Sequence, residues 1–391
     1  MTPNQTPTIN ILKDDLNAFT GRGPAFVTFG ETMVRDTPAD NERLERTRHV
    51  WVSLAGSEFT LAMTLNRLGI PSSYITRVPD NPYGWMLRNA AREQGINVDH
   101  FVWADKGEPM GRLLYELGRT PRAGAAWYQR KYAAASRLGA GMVDWKSALK
   151  DARLFHTSGI SFGLSTHSGY ERNYALEAFQ EAVQAKPDGC LVGLDFNYRS
   201  TLWSIAQCKQ AMTPLLTDHV DVLITTIEDM AQLYGMSCGK VSAEDIDKGD
   251  IGHLEDADIQ DFMRQLIERF RLKVVAVTIR YPDTHEQHRW ESAAMVASDA
   301  ASGGHFFRSP AIRSIVLWDR LGGGDTWNGG FYYGLLTESD PEKAIQKGVL
   351  VGDAATRLKQ TLMYDLPIVT KSEIQARLKA DVAGGGKRTT R

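Results

Sequence analysis

Residues 314–336 read SIVLW-DRLGGGD-TWNGGFYYGLL, an apolar run (314–318), a turn holding Gly322, Gly323 and Gly324 and closed by Asp325, and a helix-like run from Thr326 to Leu336. Three successive glycines strip the turn of side chains, so the backbone can approach a ligand and turn its N–H groups inward. The helix N-terminus that follows adds partial positive charge. Such a nest suits a phosphate whose negative charge grows during transfer. A carboxylate at its end can take a proton from an attacking hydroxyl. Spacing alone leaves a second reading open, in which Asp325 only caps the helix. Competing phosphate patterns do not fit: G-x-G-x-x-G needs glycine where Trp327 stands, and G-x-x-x-x-G-K-[ST] occurs nowhere.

Outward from this turn the text alternates strand-like and helix-like stretches. AFVTFGE (25–31), SSYITRV (72–78), LFHTSGI (154–160), CLVGLDFN (190–197), VDVLITT (220–226) and KVVAVTIR (273–280) read as buried strands, and 82–95 and 170–185 as helices, the first closed by Gly95. Nearly continuous apolar strands separated by helices predict an α/β fold with a mostly parallel sheet covered on both faces. Ligands of such sheets sit at the carboxyl ends of strands, which directs attention to Gly30-Glu31, Asp195 to Arg199, Thr225-Thr226 and Thr278 to Arg280. Residues 37–54 and 106–136 break the pattern with short alternating runs, GRLLYEL (111–117) and AAWYQRKY (125–132) among them. They predict a small antiparallel sheet acting as a lid over a core made of 24–36, 55–105 and 137–380. Residues 1–23 and 381–391 read as flexible tails, and the acidic stretch 236–256 as a surface insertion.

Composition narrows the partners. A formal net charge of −2 gives no electrostatic reason to expect nucleic acid or an anionic membrane surface. No apolar run approaches the length of a bilayer span, and the first residues lack the basic and apolar parts of a secretory signal. Cys190, Cys208 and Cys238 are odd in number and widely spaced, which fits reduced thiols in a cytoplasmic protein better than disulfides or a thiolate zinc site. His285-Glu286-Gln287-His288 is one residue short of the H-E-x-x-H zinc helix and reads as a polar loop.

The glycine turn resembles the D-x-x-G-A-G-D signature of PfkB-type, ribokinase-like carbohydrate kinases, with Gly323 in place of the usual alanine. The likeness runs from about Phe26 to Leu378. Ala55-Gly56-Ser57-Glu58-Phe59-Thr60-Leu61-Ala62 with Asn66-Arg67-Leu68-Gly69 resembles that family's G-G-x-x-x-N-x-A…A-x-L-G element, and Asp80 to Gly84 its D-x-x-G. The resemblance implies ATP as phosphate donor with Mg²⁺, a small-molecule sugar as acceptor, Gly322, Gly323 and Gly324 as anion hole, and Asp325 as base. It leaves a role for a monovalent cation open. Further motifs are similar to those of 2-keto-3-deoxygluconate kinases: Tyr128-Gln129-Arg130…Ala134-Ala135-Ser136, Asp195-Phe196-Asn197-Tyr198-Arg199…Leu202-Trp203, Thr278-Ile279-Arg280 with Arg289-Trp290, and Lys359-Gln360-Thr361. A sugar acid carries a carboxylate that Arg130 and Arg199 can bind through charge-assisted hydrogen bonds.

The resemblance therefore implies substrate contacts from Gly56, Ser57, Thr60, Tyr128, Arg130 and Arg199. It implies nucleotide contacts from Thr226, Thr278, Arg280, Gly322, Gly324 and Lys359, and a water-mediated Mg²⁺ contact from Asp229. Singly, each arginine also reads as a surface ion pair, and Tyr128 and Trp290 as core packing or a lid hinge. The chain departs from the pattern at Ala55, Thr60 (usually asparagine), Leu113, Ala133, the Thr226-Ile227-Glu228-Asp229 element (usually N-x-x-E) and the bulky Thr326-Trp327 pair. These edits keep two alternatives open: a fructokinase- or ribokinase-like enzyme acting on a neutral sugar, and a sugar- or nucleotide-binding relative without catalysis. The exposed edges of the lid strands suit a homodimer formed through the lid.

Overall fold

A computed structural model of the chain describes residues 8–382, apart from 15, 250, 283–286, 298–303, 311 and 364–365. Its strands are β1 (Phe26–Phe29), β2 (Met33–Pro38), β3 (Val50–Ala55), β4 (Ser72–Ile75), β5 (Arg77–Pro79), β6 (Val102–Ala104), β7 (Arg112–Glu116), β8 (Ala125–Gln129), β9 (Leu154–Ser158), β10 (Leu191–Asp195), β11 (Val222–Thr225), β12 (Val274–Pro282), β13 (Gln287–Val296), β14 (His305–Arg308) and β15 (Ile312–Val316). Strands β12-β11-β10-β9-β1-β4 run parallel, and β13, antiparallel to β12, carries β14 and β15.

Both faces of this sheet are buried, which is why its strands read as continuous apolar runs. Successive side chains point to opposite faces: Val27, Phe29, Phe155, Val192 and Leu223 enter one core, and Phe26, Leu154, Val222 and Ile224 the other. On the second face the helix Gly323–Thr337 lies against Pro341–Lys359. Contact is close because a Cβ on Gly334 would come within 2.5 Å of the Cα of Gly348. The helix carrying the glycine turn is thus held backbone to backbone by its neighbour.

A second sheet has the order β3-β2-β7-β8. It starts at Met33, ahead of the expected boundary at 37, and it is not wholly antiparallel, since β2 and β7 at its centre pair in parallel. Its register sets Ser53, Arg35, Leu113 and Tyr128 side by side, hence on one face. Arg35, Leu113 and Tyr128 of that face line a cavity together with Glu31, two residues beyond the end of β1.

Other expectations need correction. The run 72–78 divides into β4 and β5. The N-terminal arm is anchored rather than loose over its described part. Ile11 and Phe19 are buried, Ile11 N donates to Gln375 Oε1 at 2.7 Å, Lys347 pairs with Asp14 at 2.9 Å, and the Tyr333 hydroxyl donates to the same Asp14. Residues 236–256 contribute core: Cys238, Ile246, Ile251 and Leu254 are buried. Gln287 and His288 belong to β13 instead of a loop, while His285, Glu286 and the GGGKRTTR tail lie outside the described residues.

Candidate active site

Two cavities meet at the glycine turn. One, of about 150 Å³, lies under the small sheet. The other, of about 470 Å³, runs over the carboxyl ends of β10, β11 and β12. Both are lined by Gly322, Asp325, Tyr128 and Arg199. Gly56, Ser57, Thr60, Arg130 and Lys359 line the small cavity. Thr226, Asp229, Thr278, Arg280, Gly323 and Gly324 line the large one. Every site residue expected from the sequence thus borders one cavity or both. Lys359, expected against a nucleotide, lines the small cavity instead.

The turn owes its shape to Gly322, whose φ of +72° is left-handed backbone that L side chains seldom adopt. Thr326 N and Oγ1 both donate to the carbonyl of Gly322, at 2.9 and 2.7 Å. Asp319, at the start of the turn, accepts from Leu321 N at 3.0 Å and from Arg35 Nη1 at 2.6 Å. Lys359 Nζ donates to the Asp319 carbonyl at 3.4 Å.

Asp325 stands in the first turn of the Gly323–Thr337 helix. Ser57 Oγ donates to its Oδ1 at 2.5 Å. Burial pushes its carboxyl above the usual carboxylate range, while the Ser57 hydrogen bond, Arg199 and Lys359 pull it back. Beside it, Glu58 is 1% exposed and accepts from Ser158 N, Ser158 Oγ and Ser161 Oγ at 3.1, 2.6 and 3.0 Å. Burial raises it to about 7.

Arg130 does not stand free. Its guanidinium is paired with Glu31, and both are buried. Arg130 also lies 5.7 Å from the centre of the Tyr128 ring.

In the large cavity Asp195 accepts from Asn328 Nδ2 at 2.9 Å. Burial, then the nearby Asp325 charge, raises it to about 8. Thr226 caps the Ile227–Tyr234 helix by accepting from Asp229 N at 3.1 Å. Asp229 accepts from Tyr198 N at 3.3 Å and is raised by burial to about 6. Arg280 is pushed below its ordinary value by burial and by Arg320. Among the described residues no group of three or more His, Cys, Asp and Glu is placed to hold a metal ion directly. Glu228, however, turns Oε2 inward without a protein hydrogen-bond partner, and like-charged carboxylates crowd the same wall. That arrangement fits a hydrated divalent cation.

Sequence reasoning did not assign Glu58, Arg35 or Asp353. Two-residue periodicity along β2 is the signal that puts Arg35 on the cavity face with Met33. Asp353 had no local signal: it accepts from Trp290 Nε1, Trp327 Nε1 and Ser292 Oγ at 3.0, 2.9 and 2.7 Å, partners remote in sequence.

A side-chain-free turn at a helix N-terminus, a carboxylate at its mouth and a cavity on either side define a small-molecule phosphotransferase built on a parallel α/β sheet. The chain belongs to the pfkB family of carbohydrate kinases, whose model matches residues 25–278. It is 30% identical over 360 residues to the 2-dehydro-3-deoxygalactonokinase of Haloferax volcanii, covering 92% of this chain and 98% of that one. It is also 30% identical to the 2-dehydro-3-deoxygluconokinase of Thermoproteus tenax, over 55% of this chain and 65% of that one. Among solved structures, the 2-dehydro-3-deoxygluconokinase of Thermotoga maritima superposes with a TM-score of 0.77 at 27% identity, over 90% of this chain and 99% of that one. An E. coli protein described as a ribokinase II, solved with ATP and Mg²⁺, shares the fold with a TM-score of 0.67 at 18% identity, over 91% and 99%.

Proposed function

We propose that this carbohydrate kinase transfers the terminal phosphoryl group of ATP to a primary hydroxyl of a 2-keto-3-deoxy sugar acid. The observation that carries the reading is the position of Asp325, hydrogen-bonded to Ser57 where the two cavities join at the glycine turn.

The small cavity takes the acceptor. Tyr128, Thr60 and Gly56 contact its hydroxyls, and Arg199 and Arg130 face its carboxylate. Asp325 accepts the proton of the attacking hydroxyl. Backbone amides of Gly322 to Gly324 and the helix N-terminus stabilise the charge that collects on the phosphoryl oxygens. The large cavity takes ATP, with Thr226, Thr278 and Arg280 along it. Asp229 and Glu228 are the residues that would hold hydrated Mg²⁺, which would supply charge neutralisation at the phosphates. The small sheet works as a lid that keeps water from competing as acceptor. Among the described residues no helix is long and apolar enough to cross a membrane. Buried free cysteines and the use of ATP support a cytoplasmic location. Val50, Val52 and Trp127, exposed on the outer face of the small sheet, offer a surface for a second copy.

The Arg130–Glu31 pair favours one alternative, a neutral sugar, because Glu31 already engages the Arg130 guanidinium. A coupled ADP-release assay across 2-keto-3-deoxy acids, ketoses and pentoses decides between the two. Turnover highest on an acid supports the proposal, and turnover confined to neutral sugars removes its sugar-acid part. Asp325→Asn should cut turnover at least ~100-fold, the lower range for a lost general base, with ATP binding retained. ADP release by that variant at the wild-type rate would exclude Asp325 as the base.

A further inference from the structure

Asp353 lies on the Pro341–Lys359 helix, 4% exposed, and lines neither cavity. Its Oδ1 accepts three hydrogen bonds, from Trp290 Nε1 at 3.0 Å, Trp327 Nε1 at 2.9 Å and Ser292 Oγ at 2.7 Å. An indole N–H can only donate, so a buried tryptophan needs an acceptor within reach. Here one carboxylate oxygen serves two of them. The two indoles belong to different parts of the site. Trp327 follows the base by two residues on the same helix and is fully buried. Trp290, on β13, forms part of the wall of the large cavity. The ring of Trp327 stacks on Phe331 at 5.1 Å and 10°, which fixes its plane.

We infer that Asp353 is a positioning residue for phosphoryl transfer, setting the helix that carries Asp325 and the nucleotide-side wall at a fixed separation through Trp327 and Trp290. The inference rests on the reading above that the large cavity takes ATP. A hydroxyl attacking in line tolerates little misplacement of base or phosphorus. Oδ1 ties both walls to one atom. Burial raises the Asp353 carboxyl above its ordinary range, with its hydrogen bonds opposing. An oxygen acceptor matters here more than a full negative charge, so Asn at this position can do the same work.

The test compares Asp353→Asn, Asp353→Ala, Trp290→Phe and Trp327→Phe in steady-state kinetics well below each variant's unfolding midpoint, with ATP binding measured separately by calorimetry. Asp353→Asn should stay within about threefold of wild type in kcat and in KM for ATP. Asp353→Ala should lose at least tenfold in kcat/KM for ATP, with KM for the sugar within twofold. Trp290→Phe should weaken ATP binding, and Trp327→Phe should lower kcat while leaving ATP affinity alone. These two single-ring variants answer the question even if Asp353→Ala does not fold. Lower melting temperatures with kcat, KM and ATP affinity unchanged would reduce Asp353 to a packing role and overturn the inference. If none of the sugars tested stimulates ADP release by wild type, the function proposed above fails. The ATP titrations still judge Asp353: equal affinity in wild type, Trp290→Phe and Asp353→Ala overturns its role at the nucleotide wall.

Discussion

The hydroxyl of Ser57 donates to Oδ1 of Asp325 at 2.5 Å, tying the start of the Ser57–Arg67 helix to the helix that carries the base. A hydrogen bond to the ionised carboxylate favours that form and opposes the upward push of burial. Ser57→Ala removes the bond, so the carboxyl rises further. The base works deprotonated. The acid limb of the kcat/KM profile should therefore move to higher pH, and activity should recover on the alkaline side. A profile of unchanged shape with a lower plateau would mean that Ser57 acts on the substrate rather than on Asp325.

Glu58 predicts a pH-dependent stability. Its carboxyl rises on folding from 4.5 to about 7 because it is buried. Between those values the folded protein holds a proton that the unfolded chain has released, so stability is greatest below 4.5 and is lost as pH climbs toward 7. The loss is about 3 kcal/mol at full ionisation. Glu58→Gln keeps an oxygen for Ser158 and Ser161 and cannot ionise. The gap in urea-unfolding free energy between variant and wild type should open in the variant's favour from pH 5 to pH 8. Asp195, raised to about 8, titrates in both proteins and cancels in the difference. A gap independent of pH would contradict the assignment.

The glycine turn was legible because each of its determinants is local: an apolar strand, three residues without side chains, an acid and a helical run. The parallel sheet was legible for the same reason, since a strand buried on both faces shows it in its own composition. What escaped lies in contacts remote along the chain. Nothing near Asp14 signals Lys347 and Tyr333, and nothing near Asp353 signals Trp290. Glu31 sits at the first strand end singled out, yet its partner Arg130 lies 99 residues further along the chain. Polar clusters of this kind are set by topology, which single-sequence periodicity does not report.

The Glu31–Arg130 pair separates stability from recognition. Both groups are buried, and removing one leaves the other charge without compensation. Arg130→Ala should cost about 3–5 kcal/mol. The cost should be smaller at pH 5 than at pH 8, because burial already pushes the Glu31 carboxyl up and protonation relieves the lone charge. Glu31→Gln combined with Arg130→Ala should recover much of the loss. If Arg130 also holds a substrate carboxylate, that stable double variant should show at least a tenfold higher KM for a sugar acid and little change for a neutral sugar. Equal changes for both would confine Arg130 to a structural role.

Gly322 offers the sharpest test of the anion hole. Its φ of +72° lies in the left-handed region, and a Cβ there would stand 3.3 Å from Thr60 Cγ2 and 3.7 Å from Lys359 Cε. An alanine meets two penalties, the left-handed backbone at roughly 1–2 kcal/mol and the pressure on Thr60. Both are relieved by rotating the peptide planes of the turn. Such a rotation turns N–H groups away from the transferring phosphoryl while leaving Asp325 on its helix. Gly322→Ala should therefore lower kcat by about 10²-fold, the scale of one lost oxyanion donor. ATP binding by calorimetry should change little, and the pH at which the acid limb falls should stay where it is. A variant that instead loses ATP binding in proportion to kcat would mean that the turn grips the ground-state nucleotide rather than the charge that develops during transfer.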